Sequence, residues 1–398
     1  MTTATEVELA RAVRDHAGRL AAALVGLTGD FATAEDLVQD AVEAALTHWP
    51  VEGIPERPDA WLFTVARRRG LDLLKRRARY RTKLALLHWP AQPEPDDRLR
   101  LLFTCCHPAL PRTGQIALTL RAVCGLTTAQ VARAFLVTEA TVGQRITRAK
   151  RKISEAGIPY RIPDPDELAG RLSEVLAVIY LLFNEGYLTT AGTASHDRDL
   201  ADDAEFLADL LHRLMPTEPE VMGLLALIRL HQARAAARFD AEGRIIPLPA
   251  QDRGRWDRDA IEEAGALIAR AAAHRRPGPY QLQAAIVACH AEAARWEDTD
   301  WPQILVLYTI LLCVQPSPVT RLHRAVALRY ADGPAAALAE LDQLEDALDG
   351  YHLYHATRGE LLRATGDPDA ARAADERALA LAANPAEIDL LRERLRWR

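Results

Sequence analysis

Apolar residues recur every three or four positions along almost the whole chain, and this helical period leaves little room for strands. The period holds from Val7 to Leu27 and from Ala34 to Trp49, until Pro50–Pro58 breaks it with three prolines in nine residues. It resumes from about Asp59 to Arg79, around Leu99–Cys106 and over Thr113–Val123, with a Pro- and acid-containing linker at Pro90–Asp97 between. Pro159, Pro163 and Pro165 mark the next boundary, beyond which a long helical array offers one brief strand candidate, Arg244–Leu248. Ala and Leu dominate while aromatics make up 6%, which favours helices over strands. The expected fold class is all-α, and 398 residues imply two or more domains at roughly 100–200 residues each.

The formal net charge of −6 conceals a division: residues 1–161 hold 24 Lys+Arg and 17 Asp+Glu, whereas the rest hold 25 and 38. A basic third joined to an acidic remainder points to one part that binds nucleic acid and another that avoids it. The sequence MTTATEVELARAVRDHAG has no apolar stretch after a basic start, which argues against a secretory signal. The longest apolar runs, Val175–Phe183 and Ile304–Val314, are about half of the ~20 residues a membrane span needs, and are expected as buried core helices. Five cysteines form no disulfide framework and fit a cytoplasmic location. Cys105-Cys106-His107 lacks a second ligand pair at zinc spacing, so its thiols are expected in the core; no metal or cofactor is called for.

The sharpest local signal is GLTTAQVARAFLVTEATVGQRITRAKRKI at Gly125–Ile153. A first helix, Thr128–Leu136, would turn Val131, Ala132 and Phe135 inward; Leu136-Val137-Thr138 makes the turn; a second helix from Glu139 buries Val142 and Ile146. Its other face carries Thr141, Gln144, Arg145 and Arg148, followed by Lys150, Arg151 and Lys152. This is a helix-turn-helix, whose second helix enters the major groove. Arg suits guanine, Gln suits adenine, and the terminal basic cluster suits phosphates. Upstream, residues 67–83 carry nine Lys+Arg against one acid, Asp72, at the end of a helix beginning Ala60-Trp61-Leu62-Phe63. That density fits a solvated face or a nucleic-acid surface, with Tyr80 among the cations as a stacking group; Trp61 and Phe63 fit the core better than a stacking platform. Between prolines and turn, Ala34–Asp40 places Asp36 and Asp40 on one helical face, with Leu37 and Val38 toward the core. No base, metal ligand or nucleophile accompanies these acids, which favours a charged docking surface over catalysis.

In their order, AEDLVQDAVEAAL (34–46), PDAWLFTVARRRGLDLLKRR (58–77) and the helix-turn-helix resemble a bacterial RNA polymerase sigma factor of the extracytoplasmic-function (sigma-70, sigma-24-like) group. The resemblance implies sigma region 2 over 1–82, a linker over 83–97, sigma region 4 over 98–160 and an extension over 161–398. It implies docking on core polymerase through Glu35, Asp36, Gln39 and Asp40. It assigns the minus-ten element to Trp61, Arg67, Arg68, Arg69, Lys75, Arg76, Arg77, Arg79 and Tyr80, and the minus-thirty-five element to Thr141, Gln144, Arg145, Arg148, Lys150, Arg151 and Lys152. The implied partners are RNA polymerase core and promoter DNA, with no membrane; the implied function is promoter-specific initiation, without enzymatic activity. A helix-turn-helix regulator with a repeat sensor, which does not replace sigma, is the alternative.

The extension resembles the branch of that family with a C-terminal helical repeat. A shift of 34 residues places Ala325 on Gly359, Leu328 on Leu362, Ala337 on Ala371 and Leu344 on Ala378, the period of a tetratricopeptide-like helix pair. Asp375 stands where an aromatic is expected. Such arrays offer a concave surface suited to a protein or peptide partner or to an intramolecular contact, here regulatory or docking in role. In IYLLFNEGYLTT (179–190), Gly186 is expected as a helix C-cap with positive φ. The acidic run Asp197–Glu205 reads as solvated surface. His196, Asp197 and Glu185 form the single polar cluster near it, without a nucleophile motif or complete ligand spacing.

Overall fold

A computed structural model describes residues 20–29, 31–78, 97–135, 137–189, 200–240, 244–382 and 385–396. Two compact units emerge, one of residues 1–187 with 196–214 and one of residues 188–195 with 215–398. The compact units therefore divide well beyond position 161, where the charge balance changes sign. Among the described residues there is no strand, and the strand candidate Arg244–Leu248 is reduced to one bridge, Phe239 with Ile245. No described helix is long and apolar enough to cross a membrane.

The first unit contains α1 (residues 20–28), α2 (Phe31–Glu52), α3 (Pro58–Ala78), α4 (Asp97–Cys105), α5 (Arg112–Ala122), α6 (Thr128–Ala134), α7 (Glu139–Glu155), α8 (Pro165–Thr189) and α9 (Leu200–Leu214). α2 continues past Pro50 to Glu52 and stops at Gly53, whose φ of 87° is open to glycine and few others. A proline in the last turn removes one hydrogen bond without breaking the helix. Leu20 to Val25 are six consecutive buried residues, so this part of α1 is buried beyond a single stripe. α8 buries Val175, Leu176, Val178, Ile179, Leu182 and Phe183, as expected of the apolar run. It runs on through Gly186, which has ordinary helical backbone instead of the expected positive-φ cap. The glycine serves a different need: a Cβ there would overlap the backbone of Leu200 and Ala201 at the start of α9. In the acidic run, Asp203 is buried rather than solvated, while Asp202 is exposed. Glu185's side chain, His196 and Asp197 lie outside the described residues.

The second unit is a helical array: α10 (Pro219–Gln232), α11 (Arg258–Ala273), α12 (Pro279–Glu292), α13 (Trp301–Val314), α14 (Pro318–Ala331), α15 (Pro334–Asp342), α16 (Glu345–Leu348), α17 (His352–Thr365), α18 (Pro368–Leu381) and α19 (Pro385–Arg396). Helices near in sequence pack together, α10 on α11 and α12, α14 on α15 and α17 on α18. All eight residues related by the 34-residue shift are buried, the pattern of helix pairs stacking on their neighbours. Asp375, where an aromatic was expected, is fully buried with Arg363 at 2.5 Å and Arg394 at 3.5 Å, beside the bare backbone of Gly359. An ion pair thus fills the volume that an aromatic ring and a larger partner would share. The run Ile304–Val314 departs from expectation: in α13 Ile304 and Leu311 are buried, but Val306, Ile310 and Val314 are exposed. The helix packs on α12 and α14 with one face, and its uncharged outer face meets solvent.

Replacing Gly186 by alanine should destabilise the first unit by about 1–3 kcal/mol, because the α8–α9 contact has no room for a methyl group. Gly170→Ala on the same helix, where a Cβ meets nothing within 4 Å, should be neutral or stabilising by about 0.5–1 kcal/mol. Thermal unfolding of the two variants checks the contrast.

Candidate nucleic-acid and polymerase interface

α6 and α7 form the expected helix-turn-helix. Thr138 caps α7 by accepting from the Thr141 amide at 3.2 Å, and the two threonine hydroxyls lie 2.9 Å apart. The cap satisfies an otherwise unpaired first-turn N–H and sets the start of the helix. Val142, Ile146, Ala149 and Ile153 recur at four, three and four residues and are all buried, against Val131 and Ala132 of α6 on the core side. α6 ends at Ala134, two residues earlier than expected, so Phe135 stands beyond the helix and is half-buried. Leu136 lies outside the described residues.

The opposite face of α7 presents Gln144, Arg148, Arg151 and Lys152 to solvent, with Thr141 and Arg145 half-buried. Arg145, Arg148, Arg151 and Lys152 line a cavity of about 440 Å³ together with Thr113 and Gly114 at the start of α5. Three arginines and a lysine share this wall with one acid, Glu155, a balance of charge suited to phosphate oxygens. Lys150 behaves differently: 19% of its side chain is exposed, and it forms an ion pair with Glu35 of α2.

α2 places the acidic residues in unlike settings. Asp36 is exposed, Gln39 and Asp40 are half-exposed, and Leu37 and Val38 are buried as expected. Asp40 pairs with Arg69 of α3 at 3.1 Å, so one docking candidate touches one minus-ten candidate. Glu35, in contrast, is buried and held between Arg121 and Lys150. On α3, Phe63 is in the core, while Trp61 is half-buried, its ring edge-on to buried Trp49 at 5.7 Å. Arg67 is half-buried and Arg68 is exposed. Lys75, Arg76 and Arg77 lie on α3, although their side chains, with all of Arg79 and Tyr80 and the linker 83–96, fall outside the described residues.

The thiols of Cys105 and Cys106 are in the core, and Cys106 Sγ lies 3.5 Å from Thr119 Oγ1. Burial pushes the Cys105 thiol well up and the Cys106 thiol up to about 11, both toward the neutral form. His107 is held below its ordinary value by burial and by Arg171, while its Nδ1 accepts from the Ala109 amide at 3.1 Å. Among the described residues no group of three or more His, Cys, Asp or Glu is placed to hold a metal ion.

Three arginines outside the motifs organise this site. Arg121 Nε donates to Glu35 at 2.6 Å and its Nη1 to the Leu126 carbonyl at 2.9 Å. Arg112 reaches the Glu174 carboxylate at 2.9 Å, and Arg171 donates to the Phe103 carbonyl at 2.6 Å. α8 is thereby tied to α4 and α5. For Arg121 the signal was an arginine within an otherwise apolar segment, IALTLRAVCGL, where a buried cation needs a buried acid.

The sequence matches the Sigma-70 region 2 family over residues 12–80 and the Sigma-70 region 4 family over residues 100–153. These two segments, in this order, define a sigma-70-type transcription initiation factor. Residues 171–272 match a family of unknown function (DUF6596), which covers α9 and α10 and most of α8 and α11. The ECF RNA polymerase sigma factor SigL of Mycobacterium tuberculosis is 36% identical over 159 residues, covering 38% of this chain and 89% of that protein. An uncharacterized protein of Rhizobium meliloti (strain 1021) is 48% identical over 379 residues, 91% of this chain and 89% of the relative, so the likeness extends through the repeat array. The chain belongs to the extracytoplasmic-function RNA polymerase sigma factor family, in the form that carries a C-terminal extension. Its partners are those of a sigma factor, RNA polymerase core and promoter DNA.

Proposed function

We propose that this sigma factor docks on core polymerase through Asp36, Gln39, Asp40 and, once exposed, Glu35. It opens the minus-ten element with the residues from Trp61 to Tyr80, which begin on α3, and reads the minus-thirty-five element with α7. The work is binding and strand opening: cations hold the phosphate backbone while unstacked bases are captured. It is a cytoplasmic, non-enzymatic activity. The observation that carries the reading is the division of α7 into a buried apolar stripe and an exposed stripe of Gln144, Arg148, Arg151 and Lys152. The region 2 match separates it from a simple helix-turn-helix regulator, which has no use for α2 and α3. The division into region 2 (1–82), linker (83–97), region 4 (98–160) and extension (161–398) describes the roles, while the α8 packing makes the start of the extension part of region 4's support.

Arg148→Ala should weaken promoter binding by about 1–3 kcal/mol and relax preference at one position if the guanidinium meets a base, or weaken all sequences alike if it meets a phosphate. Asp36→Ala with Asp40→Ala should reduce core-polymerase affinity while leaving promoter binding by the isolated chain unchanged. Titrations against promoter variants and against core polymerase read the two effects; full affinity in both would remove these assignments.

The extension is read as a built-in regulator, because α8 is fastened to region 4 by Arg112–Glu174 and Arg171–Phe103. Arg171→Gln, which loosens that attachment, should change the yield of promoter-directed transcription by the full chain with core polymerase. Wild-type yield from the folded variant would count against regulation through α8.

A further inference from the structure

We propose that the free chain closes on itself through a carboxylate latch, in which Glu35 of the docking helix is held by Arg121 and Lys150 of region 4. Glu35 and Lys150 are then withheld from their own partners until the latch opens. The proposal rests on the sigma-factor reading above and concerns how that activity is held in check.

The geometry is specific. Arg121 Nε donates to one Glu35 oxygen at 2.6 Å, and the Lys150 ammonium pairs with the other. The three side chains are 11% (Glu35), 13% (Arg121) and 19% (Lys150) exposed, so water screens the charges little. Arg121 is aimed in advance, because its Nη1 donates to the Leu126 carbonyl at 2.9 Å in the turn before α6. A second tie lies apart from the ion pairs: the Tyr160 hydroxyl donates to the Ala22 carbonyl of α1 at 2.9 Å. The Ala22 that accepts this bond lies in the buried run Leu20–Val25 of α1.

The chemistry of the participants makes this a control element. The acid belongs to a surface that needs cations from polymerase, and Lys150 belongs to the helix that needs phosphates from DNA. In the closed form each satisfies the other. A buried carboxylate does not leave its cations without a replacement. Opening therefore belongs with the arrival of a partner that supplies one: a basic polymerase surface for Glu35, or a phosphate for Lys150. Either partner displaces the same contact, so core polymerase and promoter DNA should each raise the affinity for the other. The attachment of α8 to α4 and α5 gives the extension a handle on the domain that must swing away.

The test uses the full chain and two substitutions outside the docking and recognition surfaces. Arg121→Gln removes the principal partner of Glu35, and Tyr160→Phe removes the hydroxyl tie while leaving the ion pairs in place. If the closed form limits binding, apparent affinity for core polymerase rises in proportion to the open fraction: roughly tenfold for Arg121→Gln and about two- to fivefold for Tyr160→Phe. A folded Arg121→Gln chain that binds core with wild-type affinity overturns the latch. Should that variant fail to fold, Tyr160→Phe decides alone, and wild-type affinity there overturns it equally. Run-off transcription with core polymerase separates the two readings. A wild-type chain that initiates, with variants of unchanged affinity, fails the latch alone; a wild-type chain that neither binds core nor initiates fails both.

Discussion

A carboxylate removed from water needs cations beside it, and much of the first unit is arranged around that requirement at Glu35. Arg121 lies 86 positions further along the chain and Lys150 further still, yet both meet the same acid. The contact draws α2 of region 2 against α5 and α7 of region 4. Buried residues run from Leu20–Val25 of α1 to the thiols of Cys105 and Cys106. Desolvation makes the pair a specifier of arrangement more than a source of net stability, because the attraction largely offsets the loss of hydration. An arrangement set this way can be changed by a competitor that offers equivalent charge.

The extension enters the same logic through packing. α8 is pinned to α4 by Arg171 and to α5 by Arg112–Glu174, so the start of the extension is fastened to region 4. The repeat array of the second unit is built by other means: small residues at a 34-residue spacing, and a buried Asp375 paired with Arg363 beside Gly359. Its helix α13 carries an uncharged face with Val306, Ile310 and Val314 exposed.

What the sequence made legible follows from how local each cause is. The helix-turn-helix could be read because its cap, Thr138, and its buried stripe lie within one short segment and obey one period. The repeat could be read because identical environments recur at a fixed distance. Gly186 was misjudged because a glycine before a break has two uses, positive φ and close approach, and α9 alone distinguishes them. The exposure of α13 was missed because periodicity reports hydrophobicity, whereas burial depends on which neighbours the array provides. Glu35 looked like its neighbours Asp36 and Asp40, since nothing within ten residues reveals a cation that arrives from another domain.

The distance between region 2 and region 4, before and after polymerase binding, tests the account most directly. Spin labels at Thr47 of α2 and Ser154 of α7, both exposed positions, would be placed in a chain whose Cys289 and Cys313 are replaced by alanine. Dipolar spectroscopy should give one narrow, short distance for the free chain and a distance longer by tens of ångströms once core polymerase is added. A broad distribution in the free chain, or the same distance in both states, would contradict the closed form.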